Sequence, residues 1–509
     1  MTRKIFVAIS ILMVSVGSLI AQAVFSAMTP TVNPYPGKVL SSDVDNRMVL
    51  DLLFCRLFTW NTNDDIVPEL VASHTSQQVG KDFVIDLTLR NDFKWSDGTA
   101  VTSSDVKFSM DVYKSPQSNL SSQPVFRVLR SVQVVSPTQL KITLSQNVFY
   151  AFGQLGFYIL PAHKFSNDPQ KYLDIAQASG FLNAPISSGL YIQSRIGKAY
   201  KYSLNTKMSK TSSCLIQEME RRLFLTPAAI VADLNSKIPG ALNIAPYVEL
   251  TYLPSLNANK NLTQFKWGGY SISFLAFNHR TGSVTANATL RKAIYTAINR
   301  QQIVRSDFLN SYTVINGPFP AVSPKFDPTI KDYKYDVAQA KSLIAGASVT
   351  KELRLIAPNT VSTQEQQALV QIKQYLEAIG IKTSQTFIFT KNVYEEKLNN
   401  GDFDLYYQTI YFDHLCDITD FFLNTGSQVG NQNFAQYRSD PVNKLLQQAS
   451  SLSNPVEYAN VMHQINQVLV DDAAWVFLWS PTSFGFYKQN EIQRFLPHQI
   501  YCMMFVCSN

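Results

Sequence analysis

The residues most able to do chemistry are few and scattered. Two acidic pairs, Asp64-Asp65 and Asp471-Asp472, have the adjacency of a shared-proton dyad, but such pairs also occur on solvated surfaces. His163, within ILPAHKF, has no serine, cysteine or acid at a nucleophile-base spacing beside it and reads as a packed or capping histidine. No HExxH, CxxC or His-x-x-x-His is present, so the sequence calls for no zinc site and no cofactor. Nor is there a GxGxxG, a GxxxxGK[ST] or a GxSxG, which removes dinucleotide, P-loop and serine-elbow chemistry. What the chain has in quantity is rings. Its 32 Phe, 24 Tyr and 5 Trp make 12% of 509 residues, enough for large cores or for a ring-lined cavity. The chemistry expected is therefore binding, not catalysis.

The elements that would position those rings alternate along the chain. Phe83 to Arg90 puts Phe83, Ile85, Leu87 and Leu89 on one side of an expected strand. Trp95-Ser96-Asp97-Gly98 follows, with Asp97-Gly98 as a tight turn. Thr102 and Asp105 have the spacing of a helix N-cap and a first-turn acid. Val132–Val135 and Leu140–Leu144, flanking Ser136-Pro137-Thr138, read as a hairpin. Residues 290–304 form one apolar helical face; further helices are expected at 368–379, ending at Gly380, and near 443–451 and 455–470. Intermingled helices and strands mean an α/β fold. A length of 509 suggests roughly three domain-sized units, and the lack of linkers suggests that the chain crosses between them more than once.

The N-terminus reads as an export signal. Arg3 and Lys4 precede an apolar run from Ile5 to Ile20, and Ala21-Gln22-Ala23 fits a small-x-small cleavage site. The alternative is an uncleaved anchor. No cysteine lies near the cleavage point, which argues against lipidation there and for a periplasmic location. The net charge of +7 falls to +5 without Arg3 and Lys4, and no basic run is present, so nucleic acid is not an expected partner. Of five cysteines, Cys502 and Cys507 are close enough to close a small disulfide ring.

The ordered string of segments resembles the family 5 extracellular solute-binding proteins of ABC importers, the oligopeptide- and dipeptide-binding proteins. The stretch LRNDFKWSDGTAVTSSDVKFSM, Leu89 to Met110, is similar to the family signature. IVPELVAS, ILPAHKF, ISSGLYI, FLAFNHRTG and LRKAIYTAINRQQIV follow the family order. YDVAQAKSLI, ALVQIKQYLEAIGIK and GDFDLYY continue it. The resemblance implies a two-lobed periplasmic-binding-protein-like fold of type II, with an extra subdomain inserted in the first lobe. By that resemblance, residues 1–23 are the signal peptide and lobe I comprises 24–55, 175–270 and 480–509. The inserted subdomain is 56–174, and lobe II is 271–479. The implied function is capture of short peptides between the lobes and delivery to a membrane permease by a monomer. The alternative cargo is a non-peptide solute such as a metal chelate, haem or an oligosaccharide.

The resemblance brings Tyr247, Phe412, Asp413, Asp417 and Trp479 to the ligand, Phe412 and Trp479 as ring walls and Asp413 or Asp417 as an amine or polar anchor. Trp479 and Tyr247 could equally be core or strand-end residues, and Asp417 a helix cap. Trp95, Asp97, Gly98, Thr102 and Asp105 are expected to be structural, with Asp105→Ala costing about 1 kcal/mol of stability and no affinity. Three departures stand out: Ser187-Ser188-Gly189 replaces the family's frequent Gly-Thr-Gly, and Gly240-Ala241-Leu242-Asn243 its frequent Gly-Glu-x-Asp. Aligned on Phe422-Leu423, His414 or Leu415 takes the place of the acid that holds a peptide's N-terminal amine in peptide-binding members.

Overall fold

The computed structural model describes residues 21–27, 44–60, 66–118, 121, 124–148, 151–174, 185–196, 199–208, 216–268, 270–323, 325–345, 352–385, 387–412, 416–427, 429–430, 432–452 and 454–492. Expectations that fall on Asp64-Asp65, Asp413 and the Cys502–Cys507 ring lie outside these residues, as does the leader up to Ile20.

Two large sheets carry the architecture. The first has seven strands in the order Leu262–Gly268, Thr482–Lys488, Ile244–Ala245, Ala21–Ala27, Ile216–Leu223, Ala199–Leu204, Tyr191–Ile196. The second has six: Thr313–Val314, Trp475–Ser480, Ser271–Phe277, Leu405–Tyr411, Leu355–Pro358 and Ile388–Phe389. Both mix parallel and antiparallel pairs. A separate four-stranded antiparallel sheet, Val71–Val79, Asp82–Leu89, Gln139–Leu144 and Leu129–Ser136, is built wholly from chain between Ala21–Ala27 and Tyr191–Ile196, two strands of the seven-stranded sheet. Two large mixed sheets with a smaller sheet beside them agree with the α/β architecture that the resemblance implies.

Local sequence explains the pieces. Ile85, Leu87 and Leu89 alternate into the core of the four-stranded sheet, and the hairpin turns at Pro137-Thr138. Gly98 has a φ of +92°, which an L side chain would resist. The turn it makes brings Asp97 to the Thr99 N–H at 3.0 Å, to His163 Nε2 at 3.0 Å and to Lys164 Nζ at 3.1 Å. Burial pushes the Asp97 carboxyl up, but these partners outweigh it and hold the group well below the usual carboxylate range. His163 is thus a partner of the turn.

Thr102 begins the helix Ser103–Lys114, and Asp105 closes a capping box on it. Asp105 Oδ2 accepts from the Thr102 N–H at 2.8 Å, and its Oδ1 accepts from the Ala162 N–H, 57 residues away, at 2.9 Å. At 4% exposure, burial raises its pKa above the ordinary carboxylate value despite those bonds. The Ser96 N–H donates to Ser187 O at 2.7 Å, which ties this motif to the segment leading into the seven-stranded sheet. There Ser187 and Ser188 are fully buried and use their hydroxyls: Ser187 donates to Leu53 O at 2.6 Å, and Ser188 Oγ accepts from the Cys55 N–H at 3.1 Å. Gly189 lies so near the backbone of Leu52 and Leu53 that a Cβ would sit 2.5 Å from Leu52 O, so only the third position of the family's Gly-Thr-Gly is sterically fixed.

The apolar face expected over 290–304 is split between two helices, Ala288–Ala297 and Arg300–Asp307. Asn299 causes the break: its side chain accepts from the Gln302 N–H at 3.0 Å and caps the second helix. The other helices run Thr363–Ala378, Asp440–Ser451 and Pro455–Asp471, each slightly longer at its start or end than the periodicity suggests. Gly380, at φ +90°, ends the first of them.

Two apolar cores meet at the seven-stranded sheet. Adjacent residues of one short strand part company: Ile244 packs with the core that continues into the four-stranded sheet, Ala245 with the core of the six-stranded sheet. Phe265 and Trp267 face the former, Phe484 and Phe486 the latter. The chain passes from one large sheet to the other twice, side by side. Gly268 pairs with Thr482 at the end of the first sheet, Ser273 with Trp479 at the start of the second, and Ser480 Oγ bonds Ser271 O at 2.8 Å between them.

Candidate functional site

Above this double crossing lies a cavity of about 490 Å³, within the range of small-solute sites. Both sheets and the crossings contribute. From the seven-stranded side come Tyr247, Glu249 and Trp267; from the crossings Tyr270, Ser271 and Pro481; from the six-stranded side Tyr312, Thr409, Tyr411 and Phe412. The first turn of the helix Thr363–Ala378 and the loop before it close one wall.

The rings are placed by backbone register. Trp267 is 8% exposed, and its Nε1 donates to Pro246 O at 2.5 Å, which anchors the segment carrying Tyr247. Tyr247 and Tyr411 are about two-fifths exposed, a large fraction for tyrosines, and approach from opposite sheets. Burial, with Glu249 and Glu365 adding their negative charge and Tyr411 close by, pushes the Tyr247 phenol up; burial and Glu365 push Tyr411 up to about 12. Tyr312 is raised by the same causes. All three therefore present neutral hydroxyls, able to donate and accept, at any physiological pH.

Glu365 is the best-fastened charge in the cavity wall. Its Oε2 accepts from the Ser362 N–H at 2.8 Å and the Ser362 hydroxyl at 2.9 Å. Its Oε1 accepts from Tyr407 at 2.6 Å and from Thr409 at 3.2 Å. Ser362 in turn accepts from the Glu365 N–H at 3.2 Å, which completes a capping box at the N-terminus of Thr363–Ala378.

The residues expected at the ligand are only partly gathered here. Tyr247 and Phe412 line the cavity; Phe412 is 6% exposed and held by its N–H to Tyr270 O at 2.7 Å. Asp413 lies outside the described residues. Trp479 is placed in the core. Its strand, Trp475–Ser480, lies between Thr313–Val314 and Ser271–Phe277 in the six-stranded sheet and is buried on both faces, and the indole has no exposure. It touches the cavity only at second hand, packing on Phe308 at 4.9 Å, which stacks on Tyr312 at 4.1 Å. Asp417 faces a separate crevice of about 50 Å³, lined also by Val148 and Gln154 from the four-stranded region and by Tyr458 and Met462. Its Oδ1 accepts from the Thr419 N–H at 2.8 Å, so it starts the short helix Thr419–Phe422. Trp95, Asp97, Gly98, Thr102 and Asp105 line neither space.

Glu365, Trp267 and Tyr312 were not foreseen as site residues. Ser362-Thr363-Gln364-Glu365 carries a capping-box signal in sequence, but nothing in it says that the cap opens on a cavity.

The chain matches the bacterial extracellular solute-binding proteins, family 5, over residues 65–433. It belongs to that family. Among curated relatives it is 22% identical over 465 residues to the oligopeptide-binding protein AppA of Bacillus subtilis, covering 87% of this chain and 82% of that one. It is 21% identical to heme-binding protein A of Haemophilus influenzae, over 69% of this chain and 64% of that one. Among solved structures, AppA of Bacillus subtilis in complex with a nonapeptide superposes with a TM-score of 0.77 at 19% identity, covering 94% of this chain and 96% of that one. NikZ of Campylobacter jejuni in complex with Ni(L-His) gives 0.76 at 20% identity, covering 92% and 94%. These relatives are substrate-binding transport proteins and the family is extracellular or periplasmic. No helix among the described residues is long and apolar enough to cross a membrane.

Proposed function

We propose that this family 5 protein captures short peptides in the ring-lined cavity and delivers them, as a monomer, to an ABC permease. The observation that carries the reading is the composite wall: both large sheets contribute rings to one cavity directly above the paired crossings. A solute seated there touches both halves only when they are together, so binding shifts the equilibrium toward the closed form. Tyrosine hydroxyls with Ser271, Ser362, Thr409 and Ser483 offer polar contacts without demanding one side chain, which suits a mixed set of peptides. Lobe I at 24–55, 175–270 and 480–509, the insertion at 56–174 and lobe II at 271–479 are the rigid units in this reading.

Export follows the leader. Cleavage after Ala23 would leave Val24 to Ala27 of the first strand, paired in parallel with Glu220 to Leu223. A second reading changes only the cargo. His414 or Leu415 stands where peptide-binding members keep an amine-holding acid, and this favours a non-peptide solute.

Native mass spectrometry of the exported protein, followed by denaturation, tests both. A ladder of short-peptide masses is expected, with a chain starting near Val24. A single non-peptide mass would replace the first reading by the second.

A further inference from the structure

The helix Thr363–Ala378 points its N-terminus into the cavity, with Thr360, Ser362, Thr363 and Gln366 all on the wall. An unfilled helix N-terminus attracts anions, because its first N–H groups lack partners and its dipole end is positive. Here Glu365 already fills that place. Four donors, from Ser362 twice and from Tyr407 and Thr409, meet its two oxygens and use the acceptor capacity of one carboxylate. The carboxylate is thus fixed in the wall and not free to swing away from an anionic guest. Its field reaches the guest space, since Tyr247, Tyr312 and Tyr411 all feel its charge. Glu249, two residues after Tyr247, adds a second carboxylate to the lining. Among the described residues that line the cavity there is no Lys, Arg or His.

We propose that Glu365, with Glu249, makes this cavity selective for solutes of zero or positive net charge and excludes net-anionic ones. The inference rests on the reading that the cavity holds the solute. The guest it predicts is a zwitterion, an amine or a guanidinium compound, whether or not it is a peptide. Glu365 acts through its field and as a positioning group, since its hydrogen-bonding capacity is already taken. A zwitterionic guest would lie with its cationic end toward the helix Thr363–Ala378.

The test uses the full exported chain and the cargo it carries, displaced and identified by mass, with each species assigned a net charge at neutral pH. Wild-type cargo should be neutral or cationic. Glu365→Gln keeps the capping box, because glutamine also serves at the third helical position, and removes the charge. The ratio of anionic to cationic cargo should then rise about tenfold, the effect of one charge several ångströms away in a partly screened site. Glu249→Gln, which caps no helix, should shift the ratio in the same direction by a smaller factor. Predominantly anionic cargo on the wild type, or an unchanged ratio in both variants, overturns the proposal. Thr363→Trp separates this from the underlying reading, since it obstructs the cavity from an exposed position on its wall. Cargo retained in full by that variant means that the solute sits elsewhere.

Discussion

The same local device occurs twice among the described residues, with different consequences. Thr102 and Asp105 form a capping box on Ser103–Lys114, and Ser362 and Glu365 form one on Thr363–Ala378. The first is sealed inside the four-stranded region, where Asp105 also takes the Ala162 N–H. The second opens on the cavity, where Glu365 takes Tyr407 and Thr409 instead. Helix capping fixes the position of a carboxylate; what packs around it decides whether that carboxylate holds the fold or faces a guest.

The largest separation between the two boxes should come from stability. Asp105→Ala leaves the Thr102 and Ala162 N–H groups without their acceptor, one of them deep in the core, and should cost about 2–3 kcal/mol in urea unfolding. That exceeds the 1 kcal/mol of an ordinary cap, because the acid also joins two distant segments. Cargo affinity should stay the same; a loss of affinity without loss of stability would erase the distinction.

Affinity is the converse probe. Removing Tyr247 and Tyr411 together as alanines should weaken cargo binding about tenfold or more, because exposed rings facing a cavity contribute where they meet the guest. Their stability cost should stay below that of Asp105→Ala. If titration calorimetry shows unchanged affinity, these rings are surface residues and the cavity assignment fails.

A smaller effect distinguishes two neighbouring acids by pH. Asp97 is held below the ordinary carboxylate range, so its contribution is present above the unfolded value near pH 4 and is lost as pH falls through the lower folded value. Asp105 is raised, so its ionisation contribution is fullest below that unfolded value and declines as pH rises through the folded one. Asp97→Asn should therefore destabilise by about 1 kcal/mol or less at pH 7, and by less still near pH 2. An unchanged deficit across that range would show that the His163 and Lys164 contacts do not depend on the charge of Asp97.

The smallest effect belongs to Asp417→Asn. Its carboxylate starts a short helix beside a separate crevice, and affinity should move less than about twofold. A loss as large as that of the two tyrosines would return Asp417 to the ligand.

The scaffold was legible where chemistry is local. The Phe83–Leu89 alternation, the Asp97-Gly98 turn and the Thr102 cap each depend on residues a few places apart, and the structure has them all. The split at Asn299 was hidden because the same apolar face runs through both helices. The cavity was less legible because facing is a property of register between distant strands. Trp267 and Trp479 both sit near sheet ends, yet one lines the cavity and the other is enclosed by neighbouring strands. The unbroken apolar run Trp475 to Trp479 marks a strand buried on both faces and the alternation Thr263 to Trp267 a half-exposed one, but neither pattern says which space a ring faces. Glu365 was hidden for the same reason, since its local signal is that of any capped helix.

The paired crossings set how the two halves can move. A single strand between two bodies lets them twist, tilt and swing independently. Two strands side by side, cross-linked by Ser480 to Ser271, resist torsion about their length and in-plane shear while still bending across their width. Motion is thereby funnelled into one soft angular coordinate, as a book turns about its spine. In the proposed capture of solute between the lobes, opening and closing would then amount to a scalar, and one interatomic distance between the halves would suffice to chart it.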